Sequence, residues 1–98
     1  MLETRYRGSR FCRVLGNPTA YEILKILAQS KKMPTELAED MGLSVKTTSA
    51  TLRHVRQINL VRYTTEDNHK IYFLKDHSLP AVLSTIEKYT RKMRVIKW

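Results

Sequence analysis

A chain of 98 residues makes one domain with an adequate but thin core; its 18 Lys and Arg against 9 Asp and Glu give a formal charge of +9 and a pI near 10.0. That balance favours a polyanionic partner, nucleic acid or an anionic membrane surface, and a domain this small often buries leftover apolar area in a dimer. The single cysteine, Cys12, excludes an internal disulfide and any multi-thiolate metal site and fits a reducing cytoplasm; no run approaches the roughly eighteen apolar residues of a membrane span, and the opening MLETRYRGSR lacks the apolar core of a signal peptide.

Tyr6, Phe11, Val14 and Leu15, set among Arg5, Arg7, Arg10 and Arg13, predict a first helix over 5–15 that ends at Gly16. Asn17-Pro18 restarts the chain, Asn as N-cap and Pro at the first helical position. Ala20, Ile23, Leu24, Leu27 and Ala28 then follow helical spacing and form the middle of the core, up to a break at Ser30-Lys31-Lys32. Pro34 opens a third helix with Glu36 in its first turn; Leu37, Ala38 and Met41 point inward, and Gly42 supplies a left-handed stop. Ser44 caps a fourth helix whose inner side is Val45, Thr48, Leu52 and Val55. Its outer side is Lys46, Ala50, Arg53, His54 and Gln57, with Thr47 and Ser49 flanking, and Asn59 sits where the helix must stop. Leu60 to Thr65 and Lys70 to Lys75 are β-rich and are joined by a polar turn, Glu66-Asp67-Asn68-His69, which predicts a hairpin. Asp76 or Ser78 caps a last helix with Leu79, Val82, Leu83, Ile86, Tyr89 and Met93 on one face and Lys88, Arg91, Lys92, Arg94 and Lys97 on the other.

Helix, turn, helix and hairpin in that order outline a winged helix-turn-helix: mainly α with a β-hairpin (α+β), about five helices and a two-stranded wing in a single domain over 1–98. From Leu43 to Thr65 the only charged residues are Lys46, Arg53, Arg56 and Arg62, which suits approach to a polyanion. The major groove admits one α-helix, and Lys46, Thr47, Ser49, Ala50 and Arg53 are the side chains expected there. Lys46 and Arg53 donate to guanine or phosphate, Thr47 and Ser49 bond either class, and Ala50 keeps the helix close and can touch a thymine methyl. Arg62 and Lys70 are the expected phosphate contacts of the wing, although Glu66 and Asp67 at its tip would repel the backbone. The bland alternative is a solvated helix with ordinary surface charge, beside a hairpin that only covers the core. Cys12 reads as a small buried hydrophobe, with an intersubunit bridge as the rival. His54, His69 and His77 have no Ser or Cys partner nearby in sequence, and neither a phosphate-binding glycine loop nor a paired-carboxylate motif occurs. An enzyme is not expected, nor any cofactor.

Leu15-Gly16-Asn17-Pro18-Thr19 with Ile23-Leu24, then Glu36-Leu37-Ala38, Gly42-Leu43-Ser44, Thr47, Ser49, Leu52 and Leu60-Val61, resembles the ArsR/SmtB-type winged-helix transcriptional regulators over about Phe11 to Met93. The resemblance implies a homodimer held by the first and last helices, here Phe11, Val14, Leu79, Val82, Leu83, Ile86 and Tyr89, with two recognition helices in successive major grooves. Ala20, Thr51 and Asn59 depart from it, standing where the family usually has arginine, often histidine and usually glycine. So do the metal sites. Lys32-Met33-Pro34-Thr35-Glu36-Leu37 replaces the cysteine cluster of one sensor type. Of the ligand set on the last helix only Asp76 is present, with Ser78, Tyr89 and Lys92 at the other positions. The expectation is therefore a cytoplasmic, homodimeric, sequence-specific regulator of double-stranded DNA, acting as a repressor without metal or membrane and with an unknown inducer. An RNA-binding winged helix and a protein-assembly module remain as alternatives.

Overall fold

A computed structural model describes residues 2–93, and Arg94 and Lys97 lie outside them. The order is α1 (Glu3–Leu15), α2 (Pro18–Leu27), α3 (Pro34–Met41), α4 (Val45–Gln57), β1 (Val61–Glu66), β2 (His69–Leu74) and α5 (Leu79–Lys92). This is the winged helix-turn-helix that the sequence predicts, with α1 and α5 flanking the helix-turn-helix and hairpin.

Local chemistry sets most boundaries. The Asn17 side chain accepts from the backbone N–H of Ala20 at 3.0 Å and Pro18 occupies the first turn of α2, where its missing N–H costs nothing. At α3 the Glu36 carboxylate accepts from the N–H of Met33 at 2.8 Å, holding an anion at the positive end of the helix. Gly42 stops α3 with φ 68°, and Ser44 Oγ opens α4 by accepting from the N–H of Thr47 at 3.0 Å. Asn59, after α4, adopts φ 66°, the left-handed stop that a glycine would otherwise supply.

Two boundaries move. α1 begins at Glu3 rather than residue 5, because Glu3 lies one turn before Arg7 and pairs with it at 2.6 Å. The hairpin turn is two residues, not four: Glu66 pairs with His69 across the ladder, and Asp67 and Asn68 take φ of 50° and 64°. Asp and Asn tolerate that left-handed pair, and its twist matches the strands it joins.

The core lies where α2, α3, α4, the hairpin and α5 meet. Ile23, Leu24 and Leu37 are wholly buried, as are Leu52, Val55 and Val61, with Ala20, Leu27, Ala38, Tyr72, Leu79 and Leu83 nearly so. Each large apolar side chain here contributes on the order of 1.5–3 kcal/mol relative to exposure. The burial of Ala20 explains one departure from the family pattern, since an arginine at that depth would need a partner. α1 buries no residue fully; Phe11, Val14 and Leu15 only lean on the core. Cys12 is exposed, which corrects the expected buried thiol: it lies off the strip of α1 that carries those three residues.

Two ties were not visible in the sequence. Lys32, in the α2–α3 connection, exchanges backbone hydrogen bonds with Tyr72 of β2 at 2.8 and 3.1 Å, so the reading unit and the wing share a ladder. Glu87 of α5 accepts from Tyr21 Oη at 2.8 Å and from Lys25 Nζ at 3.0 Å, fastening α5 to α2.

Candidate nucleic-acid interface

α4 presents its buried strip, Thr48, Leu52 and Val55, to the core and leaves Lys46, Thr47, Ala50, Arg53 and His54 exposed, with Ser49 half-buried. The expected reading face is therefore accessible. Thr47 is less free than its exposure suggests, because its hydroxyl accepts from Ser44 Oγ at 3.0 Å as part of the cap. Thr51, the second departure from the family pattern, donates its hydroxyl to the Thr47 carbonyl at 3.2 Å. Val45 corrects the helical-face assignment. It is 46% exposed, because the first turn of α4 projects beyond the core that covers Thr48 and Leu52.

The hairpin register divides the two expected wing contacts. Tyr63 pairs with Tyr72 and Thr65 with Lys70, so these four share a face, while Arg62 pairs with Phe73 on the other. Lys70 and Arg62 thus point to opposite sides of the wing. On the Lys70 side the Nζ lies 4.8 Å from the Tyr63 ring and the Arg56 guanidinium, reaching from α4, lies 5.8 Å from it. Tyr63 in turn packs on Tyr72, with ring centroids 5.2 Å apart. Burial raises the Tyr72 hydroxyl pKa, and the neighbouring Arg56 and Arg53 charges pull it back. Arg53, Arg56 and Lys70 therefore converge around two tyrosines where α4 meets the wing. The sequence had placed Arg56 only within an acid-free stretch. Its role depends on a tertiary neighbour, Tyr63, that no helical period reveals.

The carboxylates lie elsewhere. Asp40 pairs with Lys32 at 3.4 Å and Glu87 with Lys25; Glu66 and Asp67 stay at the wing tip. Asp76 Oδ1 accepts from Ser78 N–H and Oγ at 2.8 and 2.7 Å, and these bonds hold its pKa below the ordinary carboxylate value. Ser78 takes the N-cap position of α5 without a side-chain cap bond, so neither Asp76 nor Ser78 makes the expected cap, and Asp76 instead holds the turn before the helix. Among the described residues no group of three or more His, Cys, Asp or Glu could hold a metal ion, and no helix is long and apolar enough to cross a membrane.

The expected dimer surface divides as well. Leu79 and Leu83 are 6% and 1% exposed, spent on the chain's own core, which removes them from any free interface. Ile86 lines a cleft with Leu15 and Tyr21 of the same chain. Val82 and Tyr89 stay open at 39% and 67%. Val82 lines a cleft with Phe11 and Leu60, and Phe11 and Leu60 also line a groove of about 470 Å³ with Tyr6, Val14 and Ile58. Apolar side chains thus recur along α1, the end of α4 and the start of α5, interleaved with Arg7, Arg10, Arg13 and His54.

Residues 17–63 match the family model described as bacterial regulatory protein, arsR family. Among solved structures the chain is similar to Rv0081 of M. tuberculosis (22% identity, TM-score 0.85, covering 94% of this chain and 93% of that one). It is also similar to the Mb0332 domain of Mycobacterium bovis, described as a homodimeric winged helix-turn-helix DNA-binding domain and possible ArsR-family regulator (20% identity, TM-score 0.82, 94% and 85% covered). A third likeness is to the transcriptional repressor BigR from Xylella fastidiosa (14% identity, TM-score 0.76, 97% and 94% covered). At these identities the structural likeness establishes the fold. No curated protein matches the chain by sequence.

Proposed function

We propose that the chain is a sequence-specific, double-stranded DNA-binding transcriptional regulator, acting as a homodimeric repressor, a reading supported by the match of residues 17–63 to the arsR-family model and by the winged helix-turn-helix fold. The observation that carries the reading is the junction of α4 and the wing. There Arg53, Arg56 and Lys70 gather around Tyr63 and Tyr72, beside the exposed Lys46 and Ala50. In this assignment Lys46, Ser49, Ala50 and Arg53 enter the major groove. Thr47 contributes through the cap it fixes, and Arg56 and Lys70 meet the phosphates beside the groove. Arg62, on the far face of the wing, reaches only a phosphate outside that groove. α1 and α5 join the subunits through Phe11, Val14, Val82 and Tyr89, with Tyr6 and Ile58 added and Leu79 and Leu83 left out. Ile86 contributes at the margin. A repressor of this kind works by occupying its operator and needs no cofactor.

Titration of the full chain against a duplex selected from a random library, against structured RNA and against single strands tests the assignment. Tight, salt-sensitive binding to the duplex alone supports it; preference for RNA or single strands overturns it. The same assay tests independence from metal. Zinc or cobalt in modest excess is expected to leave duplex affinity unchanged, and a stoichiometric metal complex that releases the duplex would contradict it.

A further inference from the structure

Val45 is the apolar residue whose position the sequence misplaces, and its true position has a use. It stands at the first position of α4, 46% exposed, next to Leu43 at 40%. Of the other large apolar residues of α3 and α4, Leu37, Leu52 and Val55 are wholly buried and Met41 is half-buried. We propose that Val45 is a base-reading residue, its branched side chain packing against the C5-methyl of a thymine in the major groove. The inference rests on the DNA-binding function proposed above and adds a chemical identity to one base of the site.

Three observations point to that occupant. Ser49 and Arg53 follow Val45 at intervals of four, one turn and two turns further along the same flank of α4, and Lys46 is beside it. No carboxylate occurs from Leu43 to Thr65, so α4 itself, which carries Val45, suits approach to a polyanion, while the acidic side chains of α3 end at Asp40. The polar alternatives in the first two turns are also reduced. Thr47 Oγ1 accepts from Ser44 and Thr51 Oγ1 donates to the Thr47 carbonyl, so each of these hydroxyls is oriented by the helix itself and keeps only part of its hydrogen-bonding capacity for a base. Beside them the exposed valine offers shape and apolar surface. In the major groove thymine alone offers a methyl group, and cytosine carries only a hydrogen on the same ring carbon. The valine is also preorganised: the Ser44 cap fixes the first turn, and branching at Cβ restricts the side chain to essentially one rotamer in a helix.

The test uses the full chain and a duplex selected from a random library, remade with each thymine replaced in turn by deoxyuridine, which removes only the methyl. Wild type is expected to bind about three- to fivefold more weakly at one such position in each half-site. Val45→Ala should lose about the same factor on the parent duplex and be indifferent to the thymine-to-uridine change. Val45→Thr, which keeps the shape and one of the two methyls, should fall between wild type and Val45→Ala in affinity and in sensitivity to uridine. Wild-type binding that tolerates uridine everywhere overturns the inference while leaving DNA binding intact. So does a Val45→Ala loss that is equal on thymine and uridine duplexes, or a loss of self-association in its place, which would make the patch a protein contact. Selection of no duplex at all overturns the DNA-binding function and the inference with it.

Discussion

At the scale of single residues, Thr48 is the one buried side chain among the described residues whose polar atom has no hydrogen-bond partner. It faces the core from α4 between residues that face the groove, and its hydroxyl is wholly enclosed. An unpartnered buried hydroxyl costs about 1–3 kcal/mol, whereas an apolar group of the same shape carries no such cost. Thr48→Val is therefore expected to raise stability by about 1 kcal/mol in urea unfolding, with duplex affinity unchanged, since the side chain points away from the reading surface. A destabilised variant would show that the hydroxyl has a partner in solution. The exposed cations behave differently from one another. Arg53→Ala should weaken a selected site more than random DNA, because base contacts discriminate. Lys70→Ala should weaken both alike, because phosphate contacts do not. Gel-shift titrations on the two kinds of duplex distinguish them.

Among elements, the tie between α2 and α5 sets a pH dependence. Hydrogen bonds from Lys25 and then Tyr21 hold the Glu87 carboxyl below its ordinary value of 4.5, so this stabilisation is present above that value and is lost as pH falls through the depressed one. Burial, and then the bond to Glu87, push Tyr21 up to about 12, so its share is complete below its ordinary 10.0 and disappears as pH rises between the two. Glu87→Gln should flatten the acid side of a thermal-melt profile relative to wild type; an unchanged profile would mean that the tie adds nothing. Caps and stops were legible in the sequence because they act over three or four residues: Asn17-Pro18, Gly42, Ser44 and Asn59 each needed only their neighbours. What was illegible depends on distant contacts. Helical spacing groups Leu79, Val82, Leu83 and Ile86 without saying which of them the core will cover. It groups Val45 with Thr48 without saying where the core ends. The four polar residues of the hairpin turn suited several loop lengths, and strand register selected two. The bridge from Lys32 to Tyr72 is backbone pairing and leaves no side-chain pattern. Of the candidate interface, the α4 residues could be read from periodicity, while Arg56 and the division of Arg62 from Lys70 followed from how the wing packs.

For the whole molecule, charge and assembly are linked. A dimer that places Arg56, Lys70 and Arg62 of each subunit against phosphates neutralises roughly six of them, giving a log–log salt slope of about −5; a slope near zero would exclude the interface. Val82→Glu with Tyr89→Glu introduces charge at exposed positions only, so the subunit should stay folded, sediment as a monomer and bind its site more weakly. Replacing Leu83 would not separate assembly from folding, since it belongs to the subunit's own core. A wild-type chain that sediments as a monomer at micromolar concentration while binding its site fully would contradict the dimer. The Lys32–Tyr72 bridge bears on how such assembly stops. At Tyr72, β2 is flanked on both sides, by Tyr63 of β1 and by Lys32, so at that point β1 alone offers an open sheet margin. That margin alternates Arg62 and Glu66 with Thr64, charged and polar side chains that discourage a foreign strand from adding on. Addition of a foreign strand is thereby discouraged, and in the proposed dimer the contact falls to the helical surface, where a twofold contact closes on itself instead of propagating into fibres.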